Sequence, residues 1–252
     1  MSDFDRNYAT LRGVGTDRAV AYDMGLRAHM IRVYNYMASG VALTGVVAWL
    51  VYSAAVVTNA SGAIVGLTPL GQALFGPLML VILLAWFGLG LFISFRIGHL
   101  EASTARLLFF VYAALFGVAL SAIFMAYTAT SITRVFFISA SAFGALSLYG
   151  YTTQRSLDAV GSFLVMGLFG IIIASLVNIF LVSSALQWTI SVIGVVIFAG
   201  LTAWDTQKIK EFYSPMDDGT IAGRKAVMGA LSLYLDFVNL FLMLLRLLGD
   251  RR

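Results

Sequence analysis

Two aspartates stand where a charged side chain is expensive. Of the twelve acidic residues in the chain, most lie in the polar N-terminal stretch, in polar breaks or at the C-terminus. Asp205 (FAGLTAWDTQ) and Asp236 (LSLYLDFVNLF) instead interrupt long apolar runs. An aspartate at the centre of a membrane helix costs about 2.5–3.5 kcal/mol on insertion. An ionisable residue in that place marks a functional site by default. Two carboxyl groups in one poorly solvated site cannot both ionise cheaply, so a pair that meets tends to share a proton. When both are ionised they can hold a divalent cation, and calcium prefers the carboxylate and carbonyl oxygens that such helices offer. The residue types leave one alternative open, a pair that only hydrogen-bonds two helices together.

The surroundings of Asp236 carry a pattern. Ser232, Asp236 and Asn239 are spaced by four and three residues, and Arg246 follows one heptad later. They form one stripe of a 3.6-residue helix. A polar stripe in a membrane helix faces protein or water, so this helix is expected to be central. Arg96 (LFISFRIGHL) ends another apolar run at a depth where it could pair with Asp205; a flanking positive charge is the competing reading.

The elements that position these residues are membrane helices. The chain has 252 residues, 60% of them hydrophobic and 11% charged, and a mean hydropathy of +0.92. Soluble domains carry about a quarter charged residues. Runs of about 20 apolar residues cross a bilayer core as helices, with each backbone N–H satisfied inside its own helix. Seven spans are expected, at 33–57, 74–95, 107–127, 135–151, 161–183, 188–207 and 227–248. The fold class is therefore an all-α integral membrane protein with seven transmembrane helices. Residues 1–32 form a separate N-terminal segment, in which 16–32 are partly amphipathic and could lie at the interface or form an ordered cytoplasmic cap. Residues 33–252 form the transmembrane domain.

Seven spans divide the lysines and arginines unequally. Twelve fall on the side of the N-terminus and four on the other, which puts the N-terminus in the cytoplasm. Arg251 and Arg252 oppose this, and a re-entrant span would bring both termini to the cytoplasmic side. On the seven-span topology Asp205 is near the inner end of span six. Asp236 lies about 15 Å into span seven, at 1.5 Å per residue. The two depths agree only if span six continues through Lys208–Phe212, where nothing breaks a helix.

Other chemistry is thinly represented. The chain has no cysteine, which excludes disulfides and thiolate chemistry. No long basic run with interleaved aromatics suggests a nucleic-acid partner. No Ser/His pair or HExxH motif offers an enzymatic site, and no cofactor is expected. His29 and His99 read as interfacial polar residues. Asp217-Asp218-Gly219 lacks the rest of a calcium loop and reads as a turn.

The residues from Ala230 to Arg252, ALSLYLDFVNLFLMLLRLLGDRR, closely resemble the last helix of the Bax-inhibitor family, also called the YccA-like family. Trp204–Lys210, WDTQKIK, resembles the end of that family's sixth helix. The resemblance implies a seven-helix fold with the last helix wrapped by the other six. It implies a bacterial inner-membrane protein acting as a pH-sensitive calcium-leak channel, with calcium as the permeant or bound ion. Asp205 and Asp236 match the family's aspartate pair, and Arg96 matches an arginine that exchanges partners with that pair. A glutamate found in the second helix of some members is absent here, where Ala85 stands near its place. Family members are also partners of a membrane-anchored ATP-dependent protease, an alternative role for which the N-terminal segment is the natural handle. Intramembrane aspartyl proteases also pair two aspartates, but their GxGD motif has no counterpart before Asp236, where Leu233-Tyr234-Leu235 stands. No enzymatic activity is expected.

Overall fold

Long apolar runs with few helix breakers give long helices. The computed structural model describes residues 3–60 and 63–252, with side chains from Tyr22 onward. The helices are α1 (Asp3–Ala55), α2 (Pro69–Leu74), α3 (Pro77–Arg96), α4 (Ala102–Leu120), α5 (Ile123–Ala126), α6 (Ala129–Thr152), α7 (Asp158–Leu181), α8 (Ser184–Glu211) and α9 (Gly219–Leu248). Seven helical stretches are long and apolar enough to cross a membrane: Tyr22–Ala55, Pro77–His99, Ala102–Ala126, Ala129–Thr152, Asp158–Leu181, Ser184–Glu211 and Gly219–Leu248. The protein is an all-α integral membrane protein.

The helices begin and end where local chemistry allows. Pro69 and Pro77 open α2 and α3 at a position where the missing N–H costs nothing. The side chains of Thr128, Ser183 and Asp218 cap α6, α8 and α9. The Asp217-Asp218 turn is thereby explained. Asp218 Oδ1 accepts from Ile221 N at 2.7 Å, and Asp217 pairs with Lys225 at 2.6 Å. The expected loop after span one is more ordered than its composition suggests. Val56–Thr58 and Ile64–Leu67 pair as a short antiparallel hairpin, β1 and β2, because β-branched residues flank its tip.

One boundary differs from the sequence reading. α1 runs without a break through residue 32. Leu26, Met30, Val33 and Met37 form one buried stripe of it. This part of the amphipathic stretch packs into the bundle instead of lying along the interface; the part before Tyr22 lies outside the described side chains.

α9 is the central helix, as its polar stripe implied. Some 67% of its span is buried within the protein, against 6% for α3 and 11% for α7. It packs directly on α1, α4, α6 and α8, while α3 packs on α4 and α7 on α8. α3 and α7 thus complete the ring at one side, separated from α9 by a cavity. Leu233, Tyr234, Leu240 and Leu245 are wholly enclosed. Thr44 Oγ1 donates to Ala113 O at 2.9 Å, so Tyr234 donates its hydroxyl to Thr44 at 2.7 Å.

The C-terminal tail is fixed at one end of the bundle. Thr128 N donates to Asp250 O and Arg252 N to Ala126 O, and Arg252 reaches the Tyr52 hydroxyl. The tail therefore sits where spans one and three end. The α8–α9 turn lies at the opposite end, where Arg224 hydrogen-bonds Gly98 O.

Candidate functional site

Asp205 owes its position to the end of α8. The helix continues to Glu211, and Lys208 and Lys210 in its last turn suit the negative end of the helix dipole. Side chains on that turn tie it to neighbouring backbone. Gln207 accepts from Leu157 N at 2.7 Å and donates to Arg155 O at 2.9 Å, while Lys210 donates to Tyr151 O at 2.9 Å. Two glycines bring neighbouring helices close. A side chain at Gly150 would run into the Ala203 carbonyl, and one at Gly161 into the Trp204 ring. Trp204, beside Asp205, donates Nε1 to Asp158 at 3.1 Å.

Because α8 extends past Gln207, its carboxyl reaches the depth of Asp236 on α9. The two side chains line the same cavity, close enough to interact. A hydrogen bond between two carboxyl groups requires a proton on one of them, so the geometry fits one shared proton. Asp236 is 5% exposed, and its Oδ2 has no hydrogen-bond partner among the described residues.

The pair stands between cavities. A space of about 660 Å³ lies between α3, α7, α8 and α9, and both aspartates line it. A smaller one of about 190 Å³ lies at the α8–α9 turn, where Asp205 and Ser232 meet His29, Lys208 and Lys225. A third, of about 480 Å³, lies toward the other end, lined by Asn178, Gln187 and Arg246 among others. Neighbouring cavities share walls. Asp205 and Ser232 belong to the first two, and Ser175 and Ile179 to the first and third. The stripe of Ser232, Asp236, Asn239 and Arg246 therefore follows one chain of cavities from end to end.

Arg96 is placed differently from its expected partner. It ends α3 and is exposed. The ion pairs among the described residues join Arg134 to Asp250 and Lys225 to Asp217, so Arg96 is not paired with Asp205. The cation whose charge acts on Asp205 is Lys208, one turn along the same helix, with its ammonium 3.9 Å from the Trp204 ring centroid. His29 also belongs to the site, although it read as an interfacial residue. The i, i+3 spacing of Asp205 and Lys208 was a usable signal in the sequence. His29 offered none, because the tertiary fold alone brings it to α8.

A family relationship fits this geometry. Residues 26–252 match the family described as "Inhibitor of apoptosis-promoting Bax1". The chain belongs to the Bax-inhibitor family. Among relatives of this Bax-inhibitor protein, an uncharacterized protein of Rickettsia prowazekii is 46% identical over the full length of both chains. The inner membrane protein YbhL of Escherichia coli is 43% identical over 94% of this chain and 97% of its own. An uncharacterized protein of Caulobacter vibrioides is 40% identical over the full length of both.

Proposed function

We propose that this Bax-inhibitor protein is a passive, pH-sensitive cation pathway, with calcium as the ion carried, in a bacterial inner membrane and with its N-terminus in the cytoplasm. The observation that supports it best is the carboxyl pair standing between cavities that line up along α9. Calcium and a proton compete for the same oxygens, so occupancy of the pair by calcium falls as pH falls. Calcium takes six to eight oxygen ligands in a tight site. Asp205 and Asp236, with Ser232 and Asn239 nearby on the stripe, supply fewer. Weak, transient binding of that kind suits passage rather than storage. The titratable groups that share the small cavity with Asp205 are Lys208 on α8, His29 on α1 and Lys225 on α9.

Arg96 enters this reading as a gating residue of a second conformation. Exposed at the end of α3, it would reach the pair only after that helix end moves. Partnership with a membrane-anchored protease rests on the family resemblance and is separable from ion passage.

The test is calcium flux into proteoliposomes across a range of pH. Asp236→Asn is expected to abolish the pH dependence, because an amide can neither share nor lose that proton. A variant with the native pH profile overturns the proposal.

A further inference from the structure

The cavity lined by both aspartates has charge of one sign only. Asp205 and Asp236 line it, and no lysine, arginine or histidine does so among the described residues. The unpartnered Oδ2 belongs to the deeply buried Asp236, and Trp86, a second wall residue, also has an unpartnered buried atom, Nε1. The Trp86 ring stacks on Tyr112, also in the wall, with centroids 5.2 Å apart. Aromatic faces of this kind attract cations.

The remaining wall is apolar and opens sideways. Phe87 and Leu91 on α3, with Leu176 and Ile179 on α7, both line the cavity and are exposed on the outside of the bundle. The spans they belong to are the least buried of the seven, so the outside they face is lipid. Lining residues on α7 run from Val165 to Ile179, about 20 Å along the helix at 1.5 Å per residue. The space is a slot, with its acids inside and its open edge toward the bilayer.

We propose that this slot binds a single-chain lipophilic amine, which reaches it from the bilayer between α3 and α7. The protonated ammonium donates to Asp236 Oδ2 and the paired Asp205, beside the Trp86 and Tyr112 rings. The alkyl tail lies along Leu168, Ile172 and Leu176. An anionic amphiphile is disfavoured by the two acids, and a neutral one leaves Asp236 Oδ2 without a charged partner. The proposal rests on the reading of the acid pair as a cation site and extends that site to organic ammonium ions.

The full chain in lipid nanodiscs is photolabelled with a twelve-carbon alkylamine carrying a diazirine on its tail, and with the matched alcohol. Labelled peptides are mapped by mass spectrometry. The amine is expected to label the segments 87–94 and 165–179 at least about tenfold over the alcohol, as one lost charge-assisted hydrogen bond would imply. Asp236→Asn is expected to reduce amine labelling to the alcohol level. Leu176→Trp, which fills the slot from an exposed position, lowers labelling without touching the acids and decides the matter if the aspartate variant does not fold. Equal labelling by amine and alcohol, or native labelling in the Leu176→Trp protein, overturns the site. Calcium flux of the native protein separates the two readings. Flux that responds to pH without amine-specific labelling overturns the slot alone, whereas amine-specific labelling without such flux overturns the ion pathway alone.

Discussion

At the residue scale, the proposed pathway is a competition among cations for two carboxyl groups. Asp205 and Asp236 supply the negative charge, and the protein supplies its own cation in Lys208. That ammonium rests against the Trp204 ring and lines the small cavity beside Asp205. In the proposed pathway, a tethered charge beside Asp205 would repel an incoming calcium ion and weaken its hold on that carboxylate. Removing it while keeping a long polar side chain isolates that effect. Lys208→Gln is expected to raise calcium flux in proteoliposomes by about fivefold, for roughly 1 kcal/mol of screened repulsion. Unchanged or reduced flux would remove Lys208 from the mechanism. The spacing of Asp205 and Lys208 was readable in the sequence, whereas the place of His29 was not. Residues so far apart in the chain share a cavity only after α1, α8 and α9 have packed.

At the element scale, the position of Asp205 depends on how closely α6 and α7 approach α8. Gly150 lets the α6 backbone meet the Ala203 carbonyl, one turn before Gln207. Small residues permit such approaches between membrane helices, where van der Waals packing drives association. Gly150→Leu is expected to destabilise the protein by about 1–3 kcal/mol through overpacking. Gly144→Leu, on the same helix with nothing within 4 Å of a new Cβ, serves as its control and should melt near the native temperature. Thermal unfolding in detergent, followed by the loss of monodisperse protein, measures both. Equal melting of the two variants would contradict the packing account. The extension of α8 past Gln207 was the condition on which the sequence reading depended, and it holds because Gln207 and Lys210 anchor that turn to α6–α7 backbone.

At the scale of the whole molecule, the C-terminal residues are tied to one end of the bundle. Asp250 and Arg252 exchange backbone hydrogen bonds with Thr128 and Ala126, and Asp250 N donates to Ser131 Oγ at 2.8 Å. The Arg134–Asp250 ion pair looks like the main contact, but its side chains are 55% and 68% exposed. Exposed pairs stabilise by about 1 kcal/mol or less. Deletion of residues 250–252 is therefore expected to cost about 1–3 kcal/mol through the lost backbone bonds, and Arg134→Ala much less. Melting temperatures of the two variants in one detergent check the order, and a larger loss in Arg134→Ala would reverse it.

Hydrophobic run length and polar punctuation determined the number of spans, because a bilayer core demands about 20 residues per helix. The i, i+4, i+7 stripe on span seven determined which helix is central, since polar groups in a membrane helix turn away from lipid. The rarity of acids in apolar runs singled out Asp205 and Asp236. Tertiary structure decided the rest. It set the depth of Asp205 through backbone contacts far away in sequence, placed Lys208 rather than Arg96 beside it, and extended α1 through the expected boundary at residue 32. It also left a slot between α3 and α7. The reason is physical: one helix shows its own faces in its sequence, but a cavity belongs to no single helix and exists only in the space that several leave between them.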